Sequence, residues 1–170
     1  MEEIVINPDV PRYSRQPFPP YRYRPFRAGT PLPHPRIDPD GHSYDQEEDY
    51  LAGFKAEEWR TCEPYLYGVD LFNHGYWWEA HDAWEIVWHA AGSSTRCGLF
   101  IQGLIQLAGA QLKRAIGEPA GARSLTGAAT AKLGGVGSVY LGIQVTDLIA
   151  AGNRCLEENR GEYPCIILHL

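Results

Sequence analysis

The stretch FNHGYWWEAHDAWEIVWHAAG, from Phe72 to Gly92, carries four of the five tryptophans and three of the six histidines of the chain. Side chains three and four positions apart share one face of a helix. Glu79 and Asp82 lie off the face that holds most of the tryptophans, and we expect them to be solvated or to cap the helix. The spacing predicts a helix from about Tyr76 to Ala91, with one stripe that is formed by Trp77, His81, Trp84, Glu85 and Trp88.

Further helices are predicted on both sides of this one. Gly75 and Gly117 stand where helix ends favour glycine. Apolar periodicity and turn residues place the other helices at about residues 45–59, 63–75, 95–116, 118–133 and 141–159. No segment shows the alternation that is expected of a sheet core. The sequence therefore predicts an all-α, single-domain antiparallel bundle of five or six helices, similar to helix-hairpin repeats. We expect the Trp-rich helix and the 95–116 helix to pack antiparallel at its centre.

Residues 1–45 differ in composition, because they hold ten of the thirteen prolines. Proline resists helix interiors and central strands, so this N-terminal arm is expected to be extended. Large aromatic groups are rare in solvated tails, and they predict that the arm packs on the helical domain, residues 46–170. These aromatic residues are Tyr13, Phe18, Tyr21, Tyr23 and Phe26. The arm's arginines are expected to pair with the acidic domain, and they are Arg12, Arg15, Arg22, Arg24 and Arg27.

The C-terminal tail EYPCIILHL, residues 162–170, is too short for a bundle helix. It predicts an extended apolar strip that another surface must cover. Large exposed apolar surfaces usually mark contacts between proteins. The tail and the aromatic arm together therefore predict a homodimer.

Composition and charge exclude several classes of function. A net charge of −6 argues against a nucleic-acid partner, which needs a basic surface. The longest apolar-rich run, near residues 99–112, is interrupted by glutamines and is too short to span a membrane. The four cysteines lack CxxC spacing, and the acidic start lacks the apolar region of a signal peptide. These features predict a cytoplasmic protein.

Three interpretations of the His81–Glu85 pair are open. Burying an unpaired charge is costly, so the pair needs partners. In the first interpretation it forms a buried structural cluster with Gln102 and Gln106 of the next helix. In the second, tryptophans wall a small-molecule pocket in which His81 is a general base and Glu85 orients it. In the third, the pair binds a divalent metal, with weak further candidates in His34, His42 and His74.

Sequence motifs do not decide between a binding or scaffold module and a metabolic enzyme such as a metal-dependent hydrolase. The HExxH and paired Glu-x-x-His patterns are absent, as are nucleophile, P-loop and dinucleotide motifs. No cofactor is predicted, and the metal signal is a single His-x-x-x-Glu. The module is the favoured hypothesis, because three bulky side chains would fill a cavity at His81, namely Trp77, Trp84 and Trp88.

The segments LFNHGYWWEAHDAWEIVWHAAG and FIQGLIQLAGAQLKRAIGEPAGA resemble the domain of unknown function 309 family, over about residues 66–132. The shared pattern is an Asn-x-Gly turn, a Glu-Ala-His helix ending in Trp, a Gly-Leu-Ile-Gln helix and a Gly-Ala turn. PHPRIDPDGHSY and YLGIQVTDL resemble flanking segments of a longer subgroup with a Pro-rich arm. The resemblance implies an all-α fold and no established activity. Asp82 stands where the family commonly has Glu. The family's polar positions correspond to Asn73, Glu79, His81, Glu85, Gln102 and Gln106.

Overall fold

The computed structural model describes residue 7 and residues 9–25, 31–157 and 162–170. The arm residues Phe26 and Arg27, which were predicted to contact the domain, lie outside this part of the chain. All statements about the fold and the site concern the described residues.

Five α-helices make up most of the described domain. They are α1 (Glu63–Asn73), α2 (Trp77–Ala91), α3 (Arg96–Ala115), α4 (Pro119–Leu133) and α5 (Val145–Glu157). Two short 3-10 helices, Ala56–Thr61 and Gly134–Val136, accompany them. The helices pack against one another in chain order around one apolar core. This confirms the predicted all-α class and the number of helices.

The turn between α2 and α3 brings the two central helices together. Gly92 ends α2 with φ +84°, a conformation that favours glycine. Thr95 caps α3, because its Oγ1 accepts a hydrogen bond of 2.9 Å from the Gly98 amide. A connection this short returns the chain along its neighbour, and α3 packs on both α2 and α4.

Trp84 of α2 packs closely against α1. Its side chain is fully buried, and its Nε1 donates to the Tyr65 carbonyl over 3.2 Å. Gly68 of α1 lies directly against the indole, and a Cβ at this position would stand 2.2 Å from Trp84 Nε1. The distance between the two helices is therefore set by a glycine facing a tryptophan.

Two predicted helices are shorter than expected. The segment 45–59 was predicted to be helical, but only Ala56–Thr61 forms a 3-10 turn and the residues before it are irregular. Four of the residues 45–49 are acidic and Gly53 follows, and both features disfavour a helix. The predicted start of the last helix instead contributes β2 to a small antiparallel hairpin, β1 (Val139–Tyr140) and β2 (Ile143–Gln144). This hairpin of two residues per strand is not a sheet core, and it holds the only β-strands among the described residues.

The C-terminal tail is fixed by one side chain of α1. Asn73 Nδ2 donates to the Ile166 carbonyl over 2.7 Å, and the Ile166 amide donates to Asn73 Oδ1 over 2.7 Å. Farther along, the Leu168 amide donates to the hydroxyl of Tyr13 in the arm over 2.8 Å. Ile166 and Leu168 are buried while Ile167 is exposed, so alternate residues of the tail cover the core.

The contact between Gly68 and Trp84 gives a test of the fold. Gly68→Ala should lower the free energy of unfolding by about 1–3 kcal/mol, the range for inserting a carbon into a packed core. Gly127→Ala is the matched control, because Gly127 is exposed on α4 and has open space around it. That change should raise stability by about 0.5–1 kcal/mol through helix propensity. Urea denaturation followed by circular dichroism measures both, and equal effects would contradict the close approach of α1 and α2.

Candidate functional site

His81 and Glu85 lie at the edge of the buried face of α2. The His81 and Glu85 side chains are 40% and 44% exposed, and His81 Nε2 lies 3.6 Å from Glu85 Oε1. The prediction that this pair is buried was therefore wrong. The buried line of α2 runs through Ala80, Trp84 and Val87, and His81 is rotated from it by about 100°, one residue step.

The two glutamines of α3 do not complete the predicted cluster. Gln102 and Gln106 are partly buried, and no hydrogen bond joins either of them to His81 among the described residues. Gln106 Oε1 is buried without a hydrogen-bond partner there. The predicted four-residue cluster is consequently replaced by an arrangement of α2 residues with Arg36 of the arm.

Asp82 is the principal partner of His81. Its Oδ1 lies 3.4 Å from His81 Nδ1, and its Oδ2 accepts a bond of 3.0 Å from Arg36 Nε in the arm. The hydrogen bond to Asp82 raises the pKa of His81; burial opposes the rise and the charge of Glu85 adds to it. Burial disfavours the ionised form of Asp82, but the bonds from His81 and Arg36 prevail and lower its pKa. Asp82 is thus neither simply solvated nor a helix cap.

Glu79 is the buried carboxylate of α2, against the prediction that it is solvated. Its side chain is 6% exposed. Oε1 accepts a bond of 2.9 Å from the Tyr23 amide and lies 3.1 Å from His42 Nε2. The other ring nitrogen of His42, Nδ1, lies 2.8 Å from the Ser43 hydroxyl. Oε2 has no hydrogen-bond partner among the described residues.

Asp70 of α1 is a second buried carboxylate, and the sequence analysis missed it. It is fully buried and accepts from Arg12 Nε over 2.8 Å and from the amides of Tyr13 and Ser14 over 2.9 Å each. The available signal was an acidic residue inside the apolar run LYGVDLF, where an unpaired charge is costly. The contact fixes the arm across α1.

The arm and the segment after it enclose a cavity of about 400 Å³ over α1 and α2. Its wall combines aromatic, apolar and charged side chains, which include Phe18, His42, Tyr67, Glu79, Asp82 and Ile86. A groove of about 510 Å³ also runs between α5 and the tail, but its described charged residues are all exposed. The cavity under the arm is the better candidate site, because it alone of the two is lined by a buried carboxylate.

The histidines proposed as weak metal ligands have separate surroundings. His34 packs its ring against Trp78 at 5.3 Å between centroids, and His42 pairs with Glu79. His74 Nδ1 lies 2.8 Å from the Asp70 carbonyl. The arrangement that suits a metal ion is instead formed by three residues of α2, His81, Asp82 and Glu85. Each offers one ligand atom, and these three atoms lie within 4.8 Å of one another.

The remaining candidate binding residues contact the chain itself. Trp77 is buried, and its ring centroid lies 4.6 Å from that of Tyr163 in the tail. Trp84 fills the space under Gly68, and Trp88 is partly buried. Asn73 holds Ile166, as described above. In this structure these residues stabilise the fold and do not line the cavity under the arm.

Comparison with known families supports the resemblance seen in the sequence. The sequence profile of a family described as a domain of unknown function (DUF309) matches residues 65–125, from α1 to the middle of α4. The match includes Asp70, Asn73, Glu79 and the His81 cluster, and it excludes the arm. A search of curated proteins gave no match. No helix in the described part of the chain has the length and apolarity needed to cross a membrane.

A titration followed by NMR tests the electrostatics of the His81 cluster. The pKa of His81 should lie above 6.5, and Asp82→Asn should lower it more than Glu85→Gln, because the Asp82 hydrogen bond is the larger influence. Protonated His81 then stabilises the folded state fully below pH 6.5, and this stabilisation is lost as the pH rises through the raised pKa. Asp82 has the opposite sign, and its contribution is lost as the pH falls below 3.8 through its lowered pKa. Equal pKa changes in the two variants would contradict the assignment.

Proposed function

We propose that the protein is a binding module for a small molecule and that its ligand occupies the cavity between the arm and helices α1 and α2. One observation carries this proposal: Glu79 is 6% exposed, lines the cavity, and has a carboxylate oxygen without a partner among the described residues. Native proteins pair nearly all of their buried polar groups. Seven buried side-chain atoms lack a partner among the described residues, and Glu79 Oε2 is the one whose residue lines this cavity, which supports a ligand there.

The form of the cavity supports this function. Small-molecule sites are concave, about 300–1,000 Å³ in volume, and combine apolar walls with a few polar groups. Here about 400 Å³ is walled by Phe18, Leu71 and Ile86, with polar groups from Glu79 and His42. The arm forms one wall, and the bonds to Asp70 keep it in place.

A non-catalytic role is favoured over an enzyme that uses His81 as a base. Neither His81 nor Glu85 lines the cavity, and a general base must reach the substrate proton directly or through one water. Trp77 and Trp84 are buried in the core, and the groove of about 360 Å³ that Glu85 lines does not include His81 in its wall. A binding function therefore accounts for the cavity, and it assigns no catalytic role to the partly exposed pair His81 and Glu85.

A thermal-shift screen of a metabolite library tests the cavity. We expect at least one compound to raise the melting temperature of the wild type. Ala83→Leu should abolish that shift, because Ala83 lines the cavity and a larger side chain would occupy it. Ala131→Leu is the control, since Ala131 is exposed on α4 and should leave the shift unchanged.

Ile86→Trp provides a second cavity-filling variant if Ala83→Leu does not fold, since Ile86 is only partly buried on the same wall. Circular dichroism confirms that each variant keeps its helices. A shift that survives both cavity substitutions would place the ligand elsewhere and overturn the proposed site.

Metal binding at His81, Asp82 and Glu85 is a second candidate function. Their ligand atoms lie within 4.8 Å of one another, and one imidazole with two carboxylates is a donor set that suits zinc, iron or manganese. A bound ion would provide a Lewis acid for the hydrolase alternative. The partly exposed position of the cluster leaves room for water or a substrate as a further ligand.

Equilibrium dialysis against Zn²⁺ or Mn²⁺, followed by metal analysis, tests this second candidate. We expect about one ion per chain in the wild type and a loss of binding in His81→Ala, which removes the only nitrogen ligand of the cluster. His89→Ala is the matched control, because His89 is an exposed histidine of the same helix. Metal that is retained in His81→Ala would exclude this cluster as the site.

The proposal also includes a cellular location, an oligomeric state and the class of partner. Cys62, Cys97, Cys155 and Cys165 are free thiols, which supports a reducing cytoplasmic location. A homodimer is supported by exposed apolar residues outside the core, such as Ile167 and Leu170. Arg12 and Arg22 of the arm bind Asp70 and the His74 carbonyl, which supports the absence of a nucleic-acid partner.

A further inference from the structure

The unpaired oxygen of Glu79 indicates what kind of group the ligand presents. Both groups that reach this carboxylate, the Tyr23 amide and His42 Nε2, meet Oε1. Oε2 is shielded from solvent and receives no hydrogen bond among the described residues. A charged acceptor in this condition loses hydration without compensation, and a ligand that donates a hydrogen bond restores it.

The charges around the cavity select the sign of that ligand. Carboxylates from four residues line it, and they are opposed by the guanidinium of Arg36 and by the imidazole of His42, whose Nε2 lies 3.1 Å from Glu79 Oε1. Arg36 is already engaged, because its Nε lies 3.0 Å from Asp82 Oδ2 and its Nη1 lies 3.4 Å from Glu48 Oε1. The four carboxylates that line the cavity are Glu47, Asp49, Glu79 and Asp82.

Tyr67 adds no negative charge to this wall at neutral pH. Burial raises the pKa of its phenol to about 12; the charge of Arg12 opposes the rise, and the charge of Glu79 adds to it. The neutral hydroxyl donates to the Pro17 carbonyl over 2.8 Å, so it is not free to donate to Glu79. Tyr67 therefore provides no donor to Glu79 Oε2, which has no hydrogen-bond partner among the described residues.

We infer that the cavity binds a small organic cation, whose ammonium or guanidinium group pairs with the Glu79 carboxylate at the cavity wall and whose short alkyl body packs on Leu71, Ala83 and Ile86. This inference rests on the proposed binding function and names the chemical class of its ligand. A positive donor matches the unpaired carboxylate oxygen and the acidic rim, and charge-assisted hydrogen bonds are stronger than neutral ones. The apolar wall below Glu79 suits a hydrocarbon chain.

Three probes of equal chain length separate charge from shape: 1,4-diaminobutane, 1,4-butanediol and succinate. Isothermal titration calorimetry with the wild type should detect the diamine, with an affinity at least about tenfold above that of the diol, and no binding of succinate. Binding should weaken as the salt concentration rises, because exposed Glu47 and Asp49 attract the cation through solvent.

Glu79→Gln should lower the diamine affinity at least about tenfold, because it removes the charge while keeping an acceptor for the Tyr23 amide. Asp147→Asn is the control, since it removes one exposed charge on α5 and should leave the affinity unchanged. If Glu79→Gln fails to fold, the double variant Glu47→Gln/Asp49→Asn replaces it, with a smaller loss of affinity expected.

The outcomes distinguish this inference from the proposed function. Equal binding of the diol and the diamine, or diamine binding that is unchanged in Glu79→Gln, would overturn the cation while keeping a cavity ligand. A library compound that binds in the cavity when the diamine does not would also overturn the cation and keep the cavity as a binding site. If neither the diamine nor any library compound binds the wild type, both the inference and the proposed function fail.

Discussion

The bond between the buried Asp70 carboxylate and the arm is the constraint on which the candidate site depends. Asp70 has no contact with solvent, so its charge requires partners, and the arm supplies Arg12 Nε and the amides of Tyr13 and Ser14. This fixes the backbone of the arm across α1 and directs the following residues over α2, where the Tyr23 amide reaches Glu79. The helices provide the floor of the cavity and the arm provides its wall, so the charge buried in α1 helps to shape the cavity.

Much of the fold followed from local pattern in the sequence. The bounds of α2, α3 and α4 agree with the expected helices to within a residue or two, because apolar periodicity and glycine ends act within one element. The prediction failed where short-range signals were ambiguous. Acidic residues suit the first turn of a helix, but four of the five residues 45–49 are acidic, and their mutual repulsion disfavours a helix there. Gly142 has φ +76° and lies against the Trp59 ring, a contact between distant segments that no local pattern reveals.

The candidate site was predicted less well, because burial on α2 depends on partners that are distant in sequence. The stripe of tryptophans placed His81 and Glu85 inside, yet the arm covers the other flank of the helix and buries Glu79. A helix wheel identifies which residues share a face; it does not show that an extended arm adds a second buried face. Asn73 and Glu79 were singled out by the family resemblance, and the structure shows Asn73 holding the tail and Glu79 holding the arm.

Asp82 links the two candidate sites through its two oxygens. Oδ1 faces His81, and Oδ2 accepts a hydrogen bond from Arg36. Asp82 also lines the cavity whose wall includes Glu79. A proton or metal ion at His81 partly neutralises the negative charge of Asp82. This weakens the electrostatic attraction that would hold a cation beside Glu79. A cation in the cavity in turn disfavours positive charge at His81, because coupling between two binding events is reciprocal. The two sites would therefore act against each other, through Coulomb repulsion between positive charges that share one carboxylate.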